Sequence, residues 1–460
     1  MRNYIAMRLP EKKQAHVFEE LWSPIETMLQ EKRTVGRSGL GELTAFLRHY
    51  LSLRTSTLIS ERHVYDRFRD RIENQFPNPD LFTDEISALK NYAEYYNRLL
   101  RPDAEPDREI QQKLKRLNTL EIATAYPFLI AIYNALQANE ITRSDFLATL
   151  DISENYLLRR YLAGEQTNFT NKMFTSIVRE INFRNFIPSL KQVLVTKNYP
   201  GDHRLRQKLQ TESLYDKRQN TREKTALVLQ TINQHLSRKS QSGAFTVLDG
   251  DPTIEHIMPQ GLTDDWRHML GENWYQVHDN YLNTLGNLTL VTGDWNSSLS
   301  NANFSIKKQK LMTHGLLINN QYFASPIQSW NESAIQHRTQ FLADQLLEIY
   351  PAIGEPPAAK AVSGKPKNLI FLGETIPVST WRDVAYYTAE RVSQIADNFD
   401  SIAKQMPSYF SEREFQSACR KLSNGWWLYV NLSGHSVKGL CANLLELSGL
   451  PDTEWELEEE

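Results

Sequence analysis

The sequence predicts a mainly α N-terminal bundle, an α+β middle segment built as strand, strand and helix, and a small mixed α/β C-terminal module. Three observations carry this expectation. Apolar residues recur at three- and four-residue steps from Met1 to about Arg238, as in Leu21, Ile25 and Leu29. Around Ile254 and Leu288 that period gives way to the alternation of a strand. The stretch from Pro351 to Lys367 mixes Pro, Gly, Ala and Lys without any apolar period and reads as an interdomain linker. The expected domains are therefore 1–238, 239–350 and 368–460, joined by the linker 351–367.

Within the bundle, Ser23-Pro24-Ile25-Glu26 has the arrangement of a capping box, which predicts a helix starting at Ser23. Further helices fit 41–52, 86–100, 111–138 with a kink at Pro127, 142–150, 155–162, 172–181 and 221–236. Between Arg204 and Lys224 basic residues outnumber acidic ones, a pattern shared by solvated helix faces and by strips that follow a phosphate backbone. In the C-terminal module, 369–372 and 426–432 are short apolar runs, and 381–395 and 437–447 have helical patterning.

Bulk properties narrow the function classes. A chain of 460 residues with 40% hydrophobic content supports two or three cores. With only two cysteines, Cys419 and Cys441, it has neither a disulfide framework nor a CxxC zinc cluster, and a reducing, cytoplasmic setting is expected. The sequence shows no secretory signal and no run of 18 apolar residues, so no membrane partner is expected. A net charge of −3 argues against coating nucleic acid through bulk positive charge, so any such contact must be local.

The residues that carry chemistry lie between 253 and 308. Thr253-Ile254-Glu255-His256-Ile257-Met258-Pro259-Gln260 suits a strand that ends near Pro259, with Glu255 and His256 on opposite faces. Leu288-Thr289-Leu290 alternates as a second strand, Gly293-Asp294 marks a turn, and Asn296-Ser297-Ser298 supplies N-cap chemistry for a helix. Hydrolysis of a phosphodiester needs a base to deprotonate water and a charge sink at phosphorus. A neutral imidazole, His256, meets the first need near pH 7. A hard cation meets the second, and Glu255 and Asn296 offer it two oxygens, a small ligand set that suits Mg²⁺, with Mn²⁺ as substitute. Asn287 is placed to hydrogen-bond the loop that carries His256, and Lys307 and Lys308 to neutralise phosphate oxygens.

EHIMPQ, then LGNLTLVTGDWN, then LSNANFSIKK, resembles the HNH domain of GmrSD-type restriction enzymes. The resemblance implies an α+β HNH domain with a ββα-metal core, in which His256 is the general base, Glu255 and Asn296 are metal ligands, and Asn287 is the asparagine of the LGNL motif. Asn296 stands where the HNH signature usually has its final histidine. NTLEIATAYPFLIAIYNAL and ISENYLLRRYLAGEQTNFTNKMF resemble the helical region joining the two catalytic halves of that family. The family usually begins with a ParB-like nucleotidase domain carrying DGQQR, and this chain starts where that domain would have ended. A separate nucleotidase polypeptide or a truncated gene is the expectation. More weakly, Thr380-Trp381-Arg382-Asp383-Val384, Tyr409-Phe410-Ser411 and 429–433 resemble a small C-terminal module of bacterial restriction-associated proteins, for which DNA reading is one expected role.

The resemblance implies a DNA endonuclease of a bacterial defence system, acting on foreign or modified DNA, with homo-oligomerisation open. The rival is a non-catalytic DNA-binding or regulatory subunit that keeps the ββα unit as scaffold. Other conspicuous residues have plainer readings. His268 and His278 read as loop or packing residues, Asp249 and Asp251 as turn formers with Gly250, and Trp426, Trp427 and Tyr429 as core. His435 has no nucleophile elbow beside it, and Arg159-Arg160 fits a structural ion pair and a DNA or partner contact equally well.

Overall fold

The computed structural model describes residues 1–30, 41–120, 122–165, 168–240, 252–292, 295, 299–354, 365–396, 398–407, 409–415, 418–432, 434–450 and 454–459. The chain forms two compact units, Met1–Pro356 and Pro357–Glu460, divided within the stretch read as a linker. It is mostly helical, with three small antiparallel sheets among the described residues.

The first unit opens with helical segments built around one large apolar cluster that includes Trp22, Phe46, Tyr50, Phe68, Tyr96, Tyr126 and Tyr133. The Ser23 box does not start a helix. Backbone helicity runs unbroken from Glu11 to Met28, and its middle turn, Val17–Trp22, is a π-helix. That widened turn lies directly ahead of Pro24, where a regular helix would set the proline ring against a carbonyl. The segment expected to kink at Pro127 is two helices, Arg108–Thr119 and Tyr126–Gln137, and Pro127 sits in the first turn of the second. Conversely, 142–150 and 155–162 are one helix, Arg143–Leu162, opened by a complete Thr142/Asp145 capping box. It continues through the polar DISE step because Glu154 accepts bonds from Arg116 Nη2 (2.7 Å) and Tyr350 Oη (2.6 Å). Arg159 and Arg160 are buried, paired with Asp202 and bonded to Asn198 O respectively, so both are structural.

Helix α1 (Gln219–Lys239) joins the bundle to the segment beyond it. Its Val228, Leu229, Ile232 and Leu236 belong to the same apolar cluster as Leu288 and Leu290, so the stretches expected as two domains share a core inside one unit. Strand β1 (Pro252–His256) pairs antiparallel with β2 (Leu288–Thr292), with Ile254 opposite Leu290 and His256 opposite Leu288. Between them runs α2 (Trp274–Tyr281), and after them come α3 (Phe304–His314) and α4 (Glu332–Ile349). The Asn296 cap and the Gly293-Asp294 turn lie outside the described residues, as do Asp249, Gly250 and Asp251. The helix that follows, α3, is capped by Asn303, whose Oδ1 accepts from Ile306 N.

The two-stranded sheet is covered on both faces. Leu288 and Leu290 face the α1 and α4 cluster, whereas Val291 packs with Phe304, Leu311 and Trp330. Each fully buried leucine contributes about 1.5–3 kcal/mol relative to exposure. Gly286, just before β2, lies against α4 so closely that an added Cβ would come within 2.2 Å of Ile335 O and 2.3 Å of Thr339 Oγ1. Gly286→Ala is therefore expected to cost about 1–3 kcal/mol through overpacking against backbone, readable as a lowered denaturation midpoint. An unchanged midpoint would mean that α4 does not rest on this turn.

The second unit holds a sheet of β3 (Pro366–Phe371), β4 (Glu374–Pro377) and β8 (Trp455–Glu459), with β3 in the middle. Strands β5 (Phe410–Ser411), β6 (Cys419–Lys421) and β7 (Trp427–Tyr429) make the other sheet, with β7 central. Helices α5 (Trp381–Ile395) and α6 (Gly434–Ser448) complete it. A capping box of Thr380 and Asp383 starts α5. Trp426 is buried in this unit's core and bonds Asp400, while Trp427 and Tyr429 are half-buried beside Lys421 and Phe415.

Candidate active site

Strand β1 ends at His256, and that termination decides how its last two side chains are used. Glu255 turns toward α3, where its Oε1 accepts from Lys307 Nζ at 2.7 Å. The same ammonium donates to His256 O at 2.7 Å, so one cation holds both the carboxylate and the last carbonyl of the strand. His256 faces the other way. Its Nε2 lies 3.1 Å from Asn283 Oδ1, just beyond α2, and the Tyr215 ring meets the imidazole edge-on at 4.6 Å between centroids and 88° between planes.

The placement of Lys307 overturns its expected role. It is fully buried, 0% exposed, and ion-paired with Glu255, so it does not present a charge to a phosphate. Phe304, Lys307 and Leu311 are all buried, which puts the lysine on the inward stripe of α3. Lys308 is half-buried and donates to Ile327 O at 2.9 Å, so its ammonium is also engaged within the fold. Several members of the basic strip are similarly occupied: Arg204 pairs with Glu165, Arg206 with Asp344 and Arg218 with Asp216.

Asn287 is 0% exposed and uses its whole carboxamide. Its Oδ1 accepts from Met258 N (2.7 Å) and Trp330 Nε1 (3.0 Å), and its Nδ2 donates to Met258 O (3.0 Å) and Leu282 O (2.9 Å). The first and third bonds clamp the residue two positions after His256. Arg338, also fully buried, donates from Nη1 to Gly286 O (2.8 Å) and Leu288 O (2.7 Å), the carbonyls on either side of Asn287. His278 Nε2 lies 3.1 Å from Pro259 O, which ties α2 to the same loop.

Burial sets the electrostatics. It pushes the His256 imidazole down to about 4, with the Asn283 bond opposing and Lys307 and His278 assisting, so the ring is neutral at pH 7. Burial also pushes the Glu255 carboxyl up against the pull of Lys307, and the Lys307 ammonium down against the pull of Glu255. Each charge is thus kept by its partner, the condition under which buried ions persist.

Of the two oxygen donors expected for a divalent cation, only Glu255 is among the described residues. Among them no group of three or more His, Cys, Asp and Glu converges as a metal site, and the Glu255 carboxylate already shares its charge with Lys307. Asn296, the other expected donor, lies outside the described residues. A separate cleft of about 750 Å³ is lined by residues including Lys113, Arg116, Glu154, Lys191 and Tyr350. It shares no residue with the His256 site, and its Arg116–Glu154–Tyr350 bonds tie helices together.

Sequence reasoning did not find Tyr215, Asn283, Trp330 or Arg338. Tyr215 and Asn283 sit 41 and 27 positions from the histidine they touch, and no local pattern announces either.

Residues 199–345 match the family model described as GmrSD restriction endonucleases, C-terminal domain. The matched span is about a third of the chain. It starts at Tyr199, ahead of α1, and takes in every residue of the site, so the resemblance carried by EHIMPQ and LGNLTLV holds over a segment that includes the helix beneath the sheet. No curated protein matches the chain.

Proposed function

From that family match we propose that the chain is an HNH-type endonuclease that hydrolyses DNA phosphodiesters, with His256 as the general base. The observation that carries the reading is the neutral imidazole at the end of β1, engaged through one nitrogen and braced by Tyr215, inside the matched span. In the proposed reaction water attacks phosphorus, its proton passes to His256, the P–O bond to the leaving oxygen breaks, and that oxygen takes up a proton. Asn287 holds the loop that aims the ring, and Lys307 holds Glu255 and the strand end in place.

Mg²⁺ or Mn²⁺ is the cofactor this reading expects, with Glu255 and Asn296 as its oxygen donors. When bound, it supplies positive charge against the phosphate. The bacterial defence setting, a cytoplasmic location, modified or foreign DNA as substrate and a separate nucleotidase subunit belong to the same proposal and rest on the resemblance. Supercoiled plasmid tests it. Nicked or linear product is expected with Mg²⁺ or Mn²⁺ and none in EDTA, by gel electrophoresis. DNA retained in EDTA, with no new ends under any cation, would instead mark a binding subunit.

A further inference from the structure

A histidine that serves as a base must present a lone pair, not an N–H, to the water it activates, and the two ring nitrogens are not equivalent here. Nε2 lies 3.1 Å from Asn283 Oδ1, and a carboxamide oxygen only accepts. We propose that Asn283 is the positioning residue of this site: it holds His256 as the Nε2–H tautomer and leaves Nδ1 as the nitrogen that takes the proton. The proposal rests on the reading of His256 as general base.

Asn283 is itself fixed from several directions. Its main-chain oxygen accepts from Leu214 N at 2.8 Å. The preceding carbonyl, Leu282 O, accepts from Asn287 Nδ2. The following residue, Thr284, bonds Tyr281 O through both its amide and its hydroxyl. Thr225 Oγ1 donates to Leu214 O, so the segment that grips Asn283 is anchored in turn to α1. That segment also carries Tyr215, whose ring stands at 88° to the imidazole. One backbone bond therefore brings together the acceptor that selects the tautomer and the aromatic edge that limits rotation of the ring.

The plainer account, a buried histidine that simply satisfies a buried amide, requires nothing of Asn283 beyond stability. The two accounts separate by spectroscopy on the full chain labelled with ¹⁵N-histidine. Long-range ¹H–¹⁵N correlations at pH 7 in EDTA report which ring nitrogen is protonated, and the His256 signal is the one missing from His256→Ala. The expected wild-type signal has its proton on Nε2. Asn283→Ala is expected to give a mixture of tautomers and to lower kcat for plasmid cleavage on the order of 10²-fold, with KM within about twofold of wild type. Asn283→Asp, whose carboxylate oxygen also accepts, is expected to restore the tautomer and most of kcat.

A wild-type proton on Nδ1, or an unchanged signal in Asn283→Ala, overturns the proposal. Should Asn283→Ala not fold, Asn283→Asp decides instead, and a folded Asn283→Asp whose proton leaves Nε2 overturns the proposal. Failure of the nuclease reading shows elsewhere, as cleavage indifferent to His256→Ala while the wild-type His256 signal still has its proton on Nε2.

Discussion

His256→Ala is expected to lower the rate of DNA cleavage by about 10²–10⁴-fold, the usual contribution of a positioned general base. The imidazole is the residue at the end of β1 whose burial keeps it neutral at pH 7, and truncation removes the proposed proton acceptor without touching the Glu255–Lys307 pair on the opposite side of the strand. The backbone of His256 remains held, because its carbonyl accepts from Lys307 Nζ and the next amide, Ile257 N, donates to Asn287 O. Stability should fall by only about 0.5–3 kcal/mol, the common range for a point change. Plasmid cleavage alongside circular dichroism melting checks both halves. A folded variant that nicks at the wild-type rate would show that the base is another group.

Asn287→Ala is expected to destabilise the first unit by about 3–5 kcal/mol. Four buried groups lose their partner at once: Met258 N, Met258 O, Leu282 O and Trp330 Nε1. Each unsatisfied polar group costs about 1–3 kcal/mol, less where water enters the vacated space. Asn287→Asp refines the test, since a carboxylate keeps the two acceptor contacts and loses the two donations to Met258 O and Leu282 O. Urea unfolding followed by tryptophan fluorescence measures both variants, with Trp330 as a local reporter. A loss below about 1 kcal/mol for Asn287→Ala would mean that the loop is held mainly by its apolar contacts.

Much of this architecture is legible in the sequence because it depends on local periodicity. The alternation in TIEHI and LTLVT places β1 and β2, and their pairing sets His256 opposite Leu288. Helix α5 begins and ends where the C-terminal pattern puts it, at Trp381 and Ile395. The misreadings have a different origin. Lys307 looks like a phosphate contact when judged by charge, yet its spacing from Phe304 and Leu311, three and four residues away, already assigns it to the inward stripe. The continuous helix through Ser153 depends on tertiary partners such as Arg116 and Tyr350, and no window of sequence contains those. The same holds for Asn283 and Tyr215, which the fold, not their neighbours in sequence, delivers to the imidazole.

The single carboxamide that bonds both Met258 O and Leu282 O has a corollary for where this segment can lengthen. Everything from Pro259 to Tyr281 is an excursion whose entrance and exit are buttoned to one side chain, while its tip at Gly271 has open space around it. Insertions beside Gly271 are expected to leave the loop after His256 in place, because Asn287 holds that loop at the neck.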